Sequence, residues 1–327
     1  MMVQAPGASE AVLMPVPMVS VSMTAYNSEA WLARALDSVL RQQTSFAFEI
    51  VIGDDCSKDQ TLAVARSYQE RYPDVVRVLE RAKNLGMQRN FYDTFENCRG
   101  KYIAWLDADD YWTDPEKMAI QVNLLESDQT VSACGHYVRQ VTSTGEVLHK
   151  KSPFVPAGRY GLERIIRSNF VPSPTIMFRN GLHHKLPSWF FDLTGLADWP
   201  ILLMAGVSGD IILIDRVMAD YVLTPGSAYM SKNALHQDLI DLEFCERMES
   251  ILPDEWHRSV RASKGRRYGQ IAYLYLKQKN YPAAREMARK AFRAPNVLDN
   301  IVSKTKMLAL ATVCDTLWKT RRAVPRL

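Results

Sequence analysis

Between residues 18 and 106 the chain alternates between short β-rich runs and segments of helical period. The runs are "MVSVSMT" (18–24), "FEIVIG" (48–53), "VVRVLE" (75–80) and "KYIAWL" (101–106). Between the first two, Trp31, Leu32, Ala35, Leu36, Val39 and Leu40 recur with the spacing of an amphipathic helix, and Asn27 or Ser28 is its expected N-cap. A helix from Asp59 to about Tyr72 ends at Pro73, and another carries Met87, Phe91 and Phe95 on one face. Repeated strand–helix units predict a parallel sheet with helices on both faces. Such sheets bind ligands beyond the carboxyl ends of their strands.

Each of those ends is polar. "TAYN" follows the first strand, "DDCSKD" the second, "NLG" the third and "DADD" the fourth. Four segments converging on one edge carry more weight than any single motif. Asp107, Asp109 and Asp110 crowd three carboxylates into four positions, with no basic residue in the stretch 102–115. An Asp-x-Asp pair after a buried strand offers oxygen ligands to a hard divalent cation such as Mg2+ or Mn2+, which also relieves the repulsion. The bland alternative is an aspartate-rich helix cap ahead of Pro115. In "DDCSKD", Asp59 suits a helix cap, while Asp54 or Asp55 suits an acceptor for a ring N–H of a base. Tyr26 offers a surface for base stacking. In "NLGMQRN", Asn84 and Gly86 form the loop, Gly86 permitting close backbone approach, and Arg89 suits a diphosphate or ribose. "GLADWPILLMAG" (195–206) reads as a turn followed by a buried helix with Pro200 in its first turn, and Asp198 lies beside that helix. It suits either a general base or a cap.

Further strands are expected at 131–141, 175–178, 210–215 and 217–223. From about 236 the pattern turns helical. Ala284, Met287, Ala288, Ala291 and Phe292 share a helix face, and with "GQIAYLYLKQKN" they make a hairpin resembling one tetratricopeptide unit, packed on a third helix at 297–320. Three segments are therefore expected: a disordered lead-in (1–17), an α/β domain (18–235) and a basic helical domain (236–327).

Composition narrows the function. Five scattered cysteines and no C-x-x-C argue against a disulfide framework or a cysteine zinc site and for a reducing compartment. The first residues lack the basic start of a secretory signal, and the apolar run ending in "DTLW" is too short to span a bilayer. His183–His184 has no third ligand at metal spacing, so no metal role is expected there. P-loop, dinucleotide and nucleophile-elbow motifs are missing. Residues 256–327 hold 17 Lys/Arg against 3 Asp/Glu, a net of +14, whereas the preceding residues carry a net of −10. The basic part suits an anionic membrane face, with a solvated cap on the acidic body as the alternative. No aromatic RNA-type motif accompanies it, so nucleic acid is not an expected partner.

Taken in order, "VSVSMTAYNSEAWLARALDSVLRQQ", "EIVIGDDCSKDQT", "KNLGMQRNF", "GKYIAWLDADDYW" and "GLADWPILL" resemble the family 2 glycosyltransferases with a GT-A fold, over about 18–225. The resemblance implies a Rossmann-like, mainly parallel sheet, a nucleotide-sugar donor with a UDP-sugar favoured, a divalent metal, and inversion at the anomeric carbon. It implies that Thr24, Tyr26 and Asp55 hold the base, Asp107 lies near the ribose, Asp109 helped by Asp110 binds the metal, and Asp198 is the catalytic base. It implies a glycan or lipid-linked acceptor in surface polysaccharide synthesis. The cysteine usage and the basic segment together lead to the expectation of a cytoplasmic protein, peripheral on the inner face of the membrane. Where the family often has "YR-x-H", this chain has "YVLTPGS", with Val222 and Thr224 in place of Arg and His, leaving Ser227 or Lys232 as substitutes. A sugar nucleotidyltransferase would want a glycine-rich basic loop where "TAYNSEAW" stands. A catalytically silent scaffold would bind nucleotide without transfer.

Overall fold

The computed structural model describes residues 16–223, 233–295 and 312. In chain order the elements are β1 (Val19–Ala25), α1 (Leu32–Leu40), β2 (Phe48–Asp54), α2 (Thr61–Arg71), β3 (Val76–Glu80), α3 (Met87–Glu96) and β4 (Tyr102–Trp105). There follow β5 (Tyr111–Trp112), α4 (Lys117–Ser127), β6 (Val131–Thr142), β7 (Val147–Ser152), β8 (Gly158–Tyr160) and α5 (Leu162–Arg167). The described residues end with β9 (Met177–Arg179), α6 (Asp198–Ser208), β10 (Asp210–Leu223), α7 (Ala234–Met248), α8 (Asp254–Lys277) and α9 (Tyr281–Arg293).

The strands form one ten-stranded sheet in the order β3-β2-β1-β4-β9-β6-β10-β5, with β7 added to β6 and β8 to β10. The four strands expected from the alternation are mutually parallel, and β6 runs parallel to β10, while β9 and β5 are antiparallel to their neighbours. Period-two alternation splits the strand residues between two cores. Val19, Val21, Met23, Ile50, Ile52 and Ala104 face α1, α2 and α4. Val51, Ile103 and Trp105 face α3, α5 and α6.

Several local expectations change. The two late strands at 210–215 and 217–223 are one strand, β10, with register shifts between Ile214 and Ala219. Arg216, which separates the two expected strands, is accommodated by that irregularity, and it reaches Asp114 at 2.5 Å and Glu116 at 2.9 Å. Neither Asn27 nor Ser28 caps α1 with its side chain. Asn27 takes a positive φ of 51° and its Oδ1 accepts Lys58 N–H at 2.8 Å, so it joins two loops. Asp59 is not the cap of α2 either: Gln60 holds the N-cap position without a side-chain cap bond, and Asp59, just ahead of it, accepts Thr61 N–H at 2.9 Å. "TIMF" is split between a 3-10 turn (Ser173–Thr175) and β9. The short β5, β7 and β8 lack enough alternating residues to stand out.

Beyond residue 236, the start of the expected helical domain, Ile240, Phe244, Cys245, Met248, Leu252 and Val260 sit in the same core as α6. Phe244 packs on Trp199 with ring centroids 5.0 Å apart. Burying a Phe contributes about 1.5–3 kcal/mol, so α7 and the start of α8 stabilise the sheet they cover. The α8–α9 hairpin is present, with Ala284, Ala288 and Ala291 buried but Phe292 39% exposed among the described residues. The expected third helix apart from Thr312, residues 1–15 of the expected lead-in, and Thr224, Ser227 and Lys232 lie outside the described residues.

Candidate active site

The loop after β4 is pinned at both ends. Leu106 N–H donates to Ser22 O at 3.1 Å on one side, and Tyr111–Trp112 joins the end of β10 on the other. Within the loop Asp110 N–H closes back on Asp107 O at 3.1 Å. Asp110 Oδ1 accepts Val222 N–H from β10 at 2.7 Å. Asp107 Oδ1 accepts the Trp105 Nε1–H and its Oδ2 the Ser173 hydroxyl, both at 2.9 Å. Two of the three carboxylates, Asp107 and Asp110, are thus held by hydrogen bonds from neighbouring segments.

Thr24, Asp107, Asp109, Asp110 and Asp198 line one cavity of about 590 Å³ at the carboxyl ends of β1 and β4. Burial first, then the charge of Asp109, pushes Asp107 up to about 7. The same two causes push Asp110 well above the usual carboxylate range. Burial thus adds to the crowding seen in the sequence in disfavouring the charged carboxylates. Oxygen donors packed this way fit a hard divalent cation, whose charge would lower both pKa values again. Arg34 of α1 brings some positive charge that the stretch itself lacks. It stacks on Tyr111 at 4.1 Å and donates to Asp109 O at 3.4 Å.

Asp198 opens α6 on another segment of the cavity lining. Its Oδ1 accepts Trp199 N–H at 2.8 Å and its Oδ2 the Asn169 side-chain amide at 2.6 Å. Burial raises it to about 6, against the lowering effect of those two bonds. It stands close enough to Asp107 for its charge to raise that group too.

The other sequence candidates form a second, hydrogen-bonded corner. Asp55 accepts Leu85 N–H at 2.6 Å and Gly86 N–H at 3.0 Å. Asn84 donates to Asp55 O at 3.1 Å and accepts Gly86 N–H at 3.0 Å. Gly86 is required by its φ of 82°; a Cβ there would meet nothing within 4 Å, so close packing is not the reason for glycine. Asp54 is fully buried, with Oδ2 on Ser57 N–H at 3.2 Å and Oδ1 without a partner among the described residues. Tyr26 is 50% exposed. Arg89 is exposed and stacks on Phe191 at 4.3 Å. None of these six lines the cavity, although Ser28 from the loop after β1 and Met87 at the start of α3 do.

Sequence reasoning missed Trp105, Asn169, Ser173, Tyr221, Asp241 and Arg267, all of which line the cavity. Only the polar "SNFVPSP" ahead of β9 was a usable signal for Asn169 and Ser173. Arg267 of α8 binds Asp241 of α7 at 2.7 Å, so the helices after 236 complete the cavity wall.

A ten-stranded mixed sheet with an aspartate-lined cavity at the carboxyl edge of its parallel half is the architecture of a GT-A glycosyltransferase. The chain belongs to glycosyl transferase family 2, whose profile matches residues 20–186. An uncharacterized protein of Mycobacterium tuberculosis is 31% identical over 207 residues, 62% of this chain and 58% of that protein. An uncharacterized glycosyltransferase of Rickettsia prowazekii is 29% identical over 189 residues, 56% of this chain and 54% of its own length. The chain thus spans little more than half the length of these relatives. Among solved structures, S. aureus TarS (residues 1–349) in complex with UDP-GlcNAc has a TM-score of 0.64 at 18% identity, covering 92% of this chain and 91% of that one. The mannosyltransferase PcManGT of Pyrobaculum calidifontis, in complex with GDP-Man and Mn2+, has a TM-score of 0.60 at 17% identity, covering 94% and 84%. At such identities the likeness is one of fold.

Proposed function

We propose that the chain is a metal-dependent, inverting glycosyltransferase that moves a sugar from a nucleotide-sugar, a UDP-sugar by preference, to a hydroxyl of a glycan or lipid-linked acceptor in surface polysaccharide synthesis. The observation that carries this reading is the sharing of one cavity by Asp198, Asp107 and Asp109. Asp198 takes the proton of the acceptor hydroxyl as that oxygen bonds to the sugar C1 and the C1–O bond to the diphosphate breaks. Attack from the face away from the nucleotide inverts C1. Asp109, helped by Asp110, would hold Mn2+ or Mg2+, which supplies Lewis-acid stabilisation to the leaving diphosphate. Asp110 is 2% exposed and accepts Val222 N–H, which suits the supporting part. Thr24 and Asp107 lie on the donor side, and the corner of Asp54, Asp55, Asn84 and Gly86 borders the base, with Tyr26 and Arg89 at its rim. Incubation with a panel of UDP-sugars and Mn2+ tests this: UDP release and an inverted product by NMR are expected. A product with retained configuration refutes it.

The pKa of Asp198 gives a pH signature. A base must be ionised, so kcat/KM is expected to rise through an apparent pKa near 6 and level off above it. A rate independent of pH from 5 to 8 excludes Asp198 as the base.

The net charge of +14 over 256–327 supports a peripheral association with anionic membrane at the cytoplasmic face. Among the described residues no helix is long and apolar enough to cross a bilayer. Deleting 297–327 is expected to reduce co-sedimentation with phosphatidylserine vesicles; undiminished binding refutes the role of those residues.

A further inference from the structure

At the other edge of the sheet three side chains converge far from the aspartates. β9 runs antiparallel to β4 with Tyr102 opposite Arg179, so the chain leaving β9 emerges where β4 begins. Asp107, by contrast, follows the end of β4. α3, which starts at the Gly86 loop, ends beside this opposite edge at Glu96. In the 3-10 turn Leu182–Lys185, His183 Nε2 lies 3.5 Å and His184 Nε2 3.1 Å from Glu96 Oε1. One ligand atom from each of the three lies within 4.8 Å of the other two. The sequence shows no third ligand at metal spacing beside the histidine pair; in space Glu96, 87 positions upstream of His183, stands next to both.

Two observations turn proximity into a site. Bonds of about 2.0–2.1 Å to a tetrahedral cation put neighbouring ligand atoms roughly 3.3–3.4 Å apart, and both nitrogen–oxygen separations fall close to that. Secondly, His183 is 1% exposed, and neither of its ring nitrogens has a hydrogen-bond partner among the described residues. A buried imidazole without a hydrogen bond is costly unless something takes its lone pair, and the polar group beside it is the Glu96 carboxylate at 3.5 Å. Its ring is held instead by aromatic neighbours, Tyr92 and Phe95, each with its centroid 5.8 Å away. The outer ligands remain accessible, with side chains 58% exposed at His184 and 37% at Glu96.

We propose that Glu96, His183 and His184 bind a transition-metal ion of the zinc class, at a site separate from the aspartate cluster. Two imidazoles and one carboxylate suit Zn2+, leaving a fourth position for water. An all-oxygen aspartate set suits Mg2+ or Mn2+ instead, so ligand chemistry separates the two sites. A metal here would tie the end of α3 to the turn after β9, bracing the helix whose start borders the nucleotide corner.

The test uses the full chain, without a polyhistidine tag and stripped with EDTA, titrated with Zn2+ by calorimetry and with Co2+ by visible absorption. The wild type and Asp109→Ala are expected to bind one Zn2+ at the micromolar level or tighter, and to give the intense bands of tetrahedral Co2+. His184→Ala and Glu96→Gln, both at accessible positions, are expected to weaken Zn2+ by at least about 100-fold, more than loss of an outer-shell partner costs. They should also abolish the Zn2+-dependent rise in Tm. His183→Ala is not relied upon, because the side chain is buried in the core. Zn2+ binding that survives both variants, that is lost in Asp109→Ala, or that is not detected below millimolar concentration overturns the proposal.

Discussion

Asp198→Asn is expected to lower turnover by about 10³-fold, within the range of general base catalysis, while leaving UDP and Mn2+ binding unchanged. The substitution preserves the shape of the side chain and its oxygen toward Trp199 N–H, which holds the start of α6. It removes the group that accepts the acceptor's proton, and with it the rise of kcat/KM near pH 6. A loss in KM alone, with kcat intact, would instead assign Asp198 to acceptor binding. Normal turnover would remove it from the mechanism. Asn169→Ala provides a graded companion. It takes away a 2.6 Å bond that lowers the pKa of Asp198, so its profile should shift to higher pH.

Asp109→Ala is expected to weaken Mn2+-dependent UDP binding by at least about 100-fold, again more than an outer-shell change costs. The measurement is calorimetric affinity for UDP with and without Mn2+. An unchanged affinity in Mn2+ sinks the assignment. Misfolding can be told apart from lost metal binding, because the charge of Asp109 raises the pKa of both Asp107 and Asp110. Removing it relieves repulsion, so the metal-free variant should melt no lower than the metal-free wild type.

The pH dependence of stability follows from the same groups. The folded pKa values of Asp107 and Asp198, about 7 and about 6, lie above their ordinary range. The folded state therefore holds more protons than the unfolded state between about pH 4 and 7. These groups contribute most to stability at the acid end of that window, and the contribution is lost as pH rises. Without metal, Tm should fall from pH 5 to pH 8 on their account. A divalent ion, which favours the ionised carboxylates, should reverse that slope.

How much of this was legible beforehand differs by element. Strands of buried Val, Ile and Met alternating with amphipathic helices announce themselves, because burial on both sheet faces demands long apolar runs and period-3.6 stripes. The carboxyl-edge location of the polar loops follows from that alternation alone. By contrast, β5 is two residues long and β8 three, and their pairing with β10 depends on partners over 40 residues away. The polarity of the loops also has two uses that sequence does not separate. Asn27 and Asp59 join neighbouring loops, Asp55 holds the Gly86 corner, and Asp107 and Asp109 face the cavity.

The sequence by itself determined the class of fold, the edge at which a ligand binds and the aspartates that would meet it, since these depend on periodicity and on local crowding of charge. The tertiary structure alone decided what surrounds them. Trp105 and Ser173 hold Asp107, Asn169 holds Asp198, α7 and α8 close the cavity, and Glu96 joins His183 and His184 at the opposite edge. Each of these is a contact between segments distant in the chain, set by how helices pack on a sheet, and no local pattern encodes that geometry.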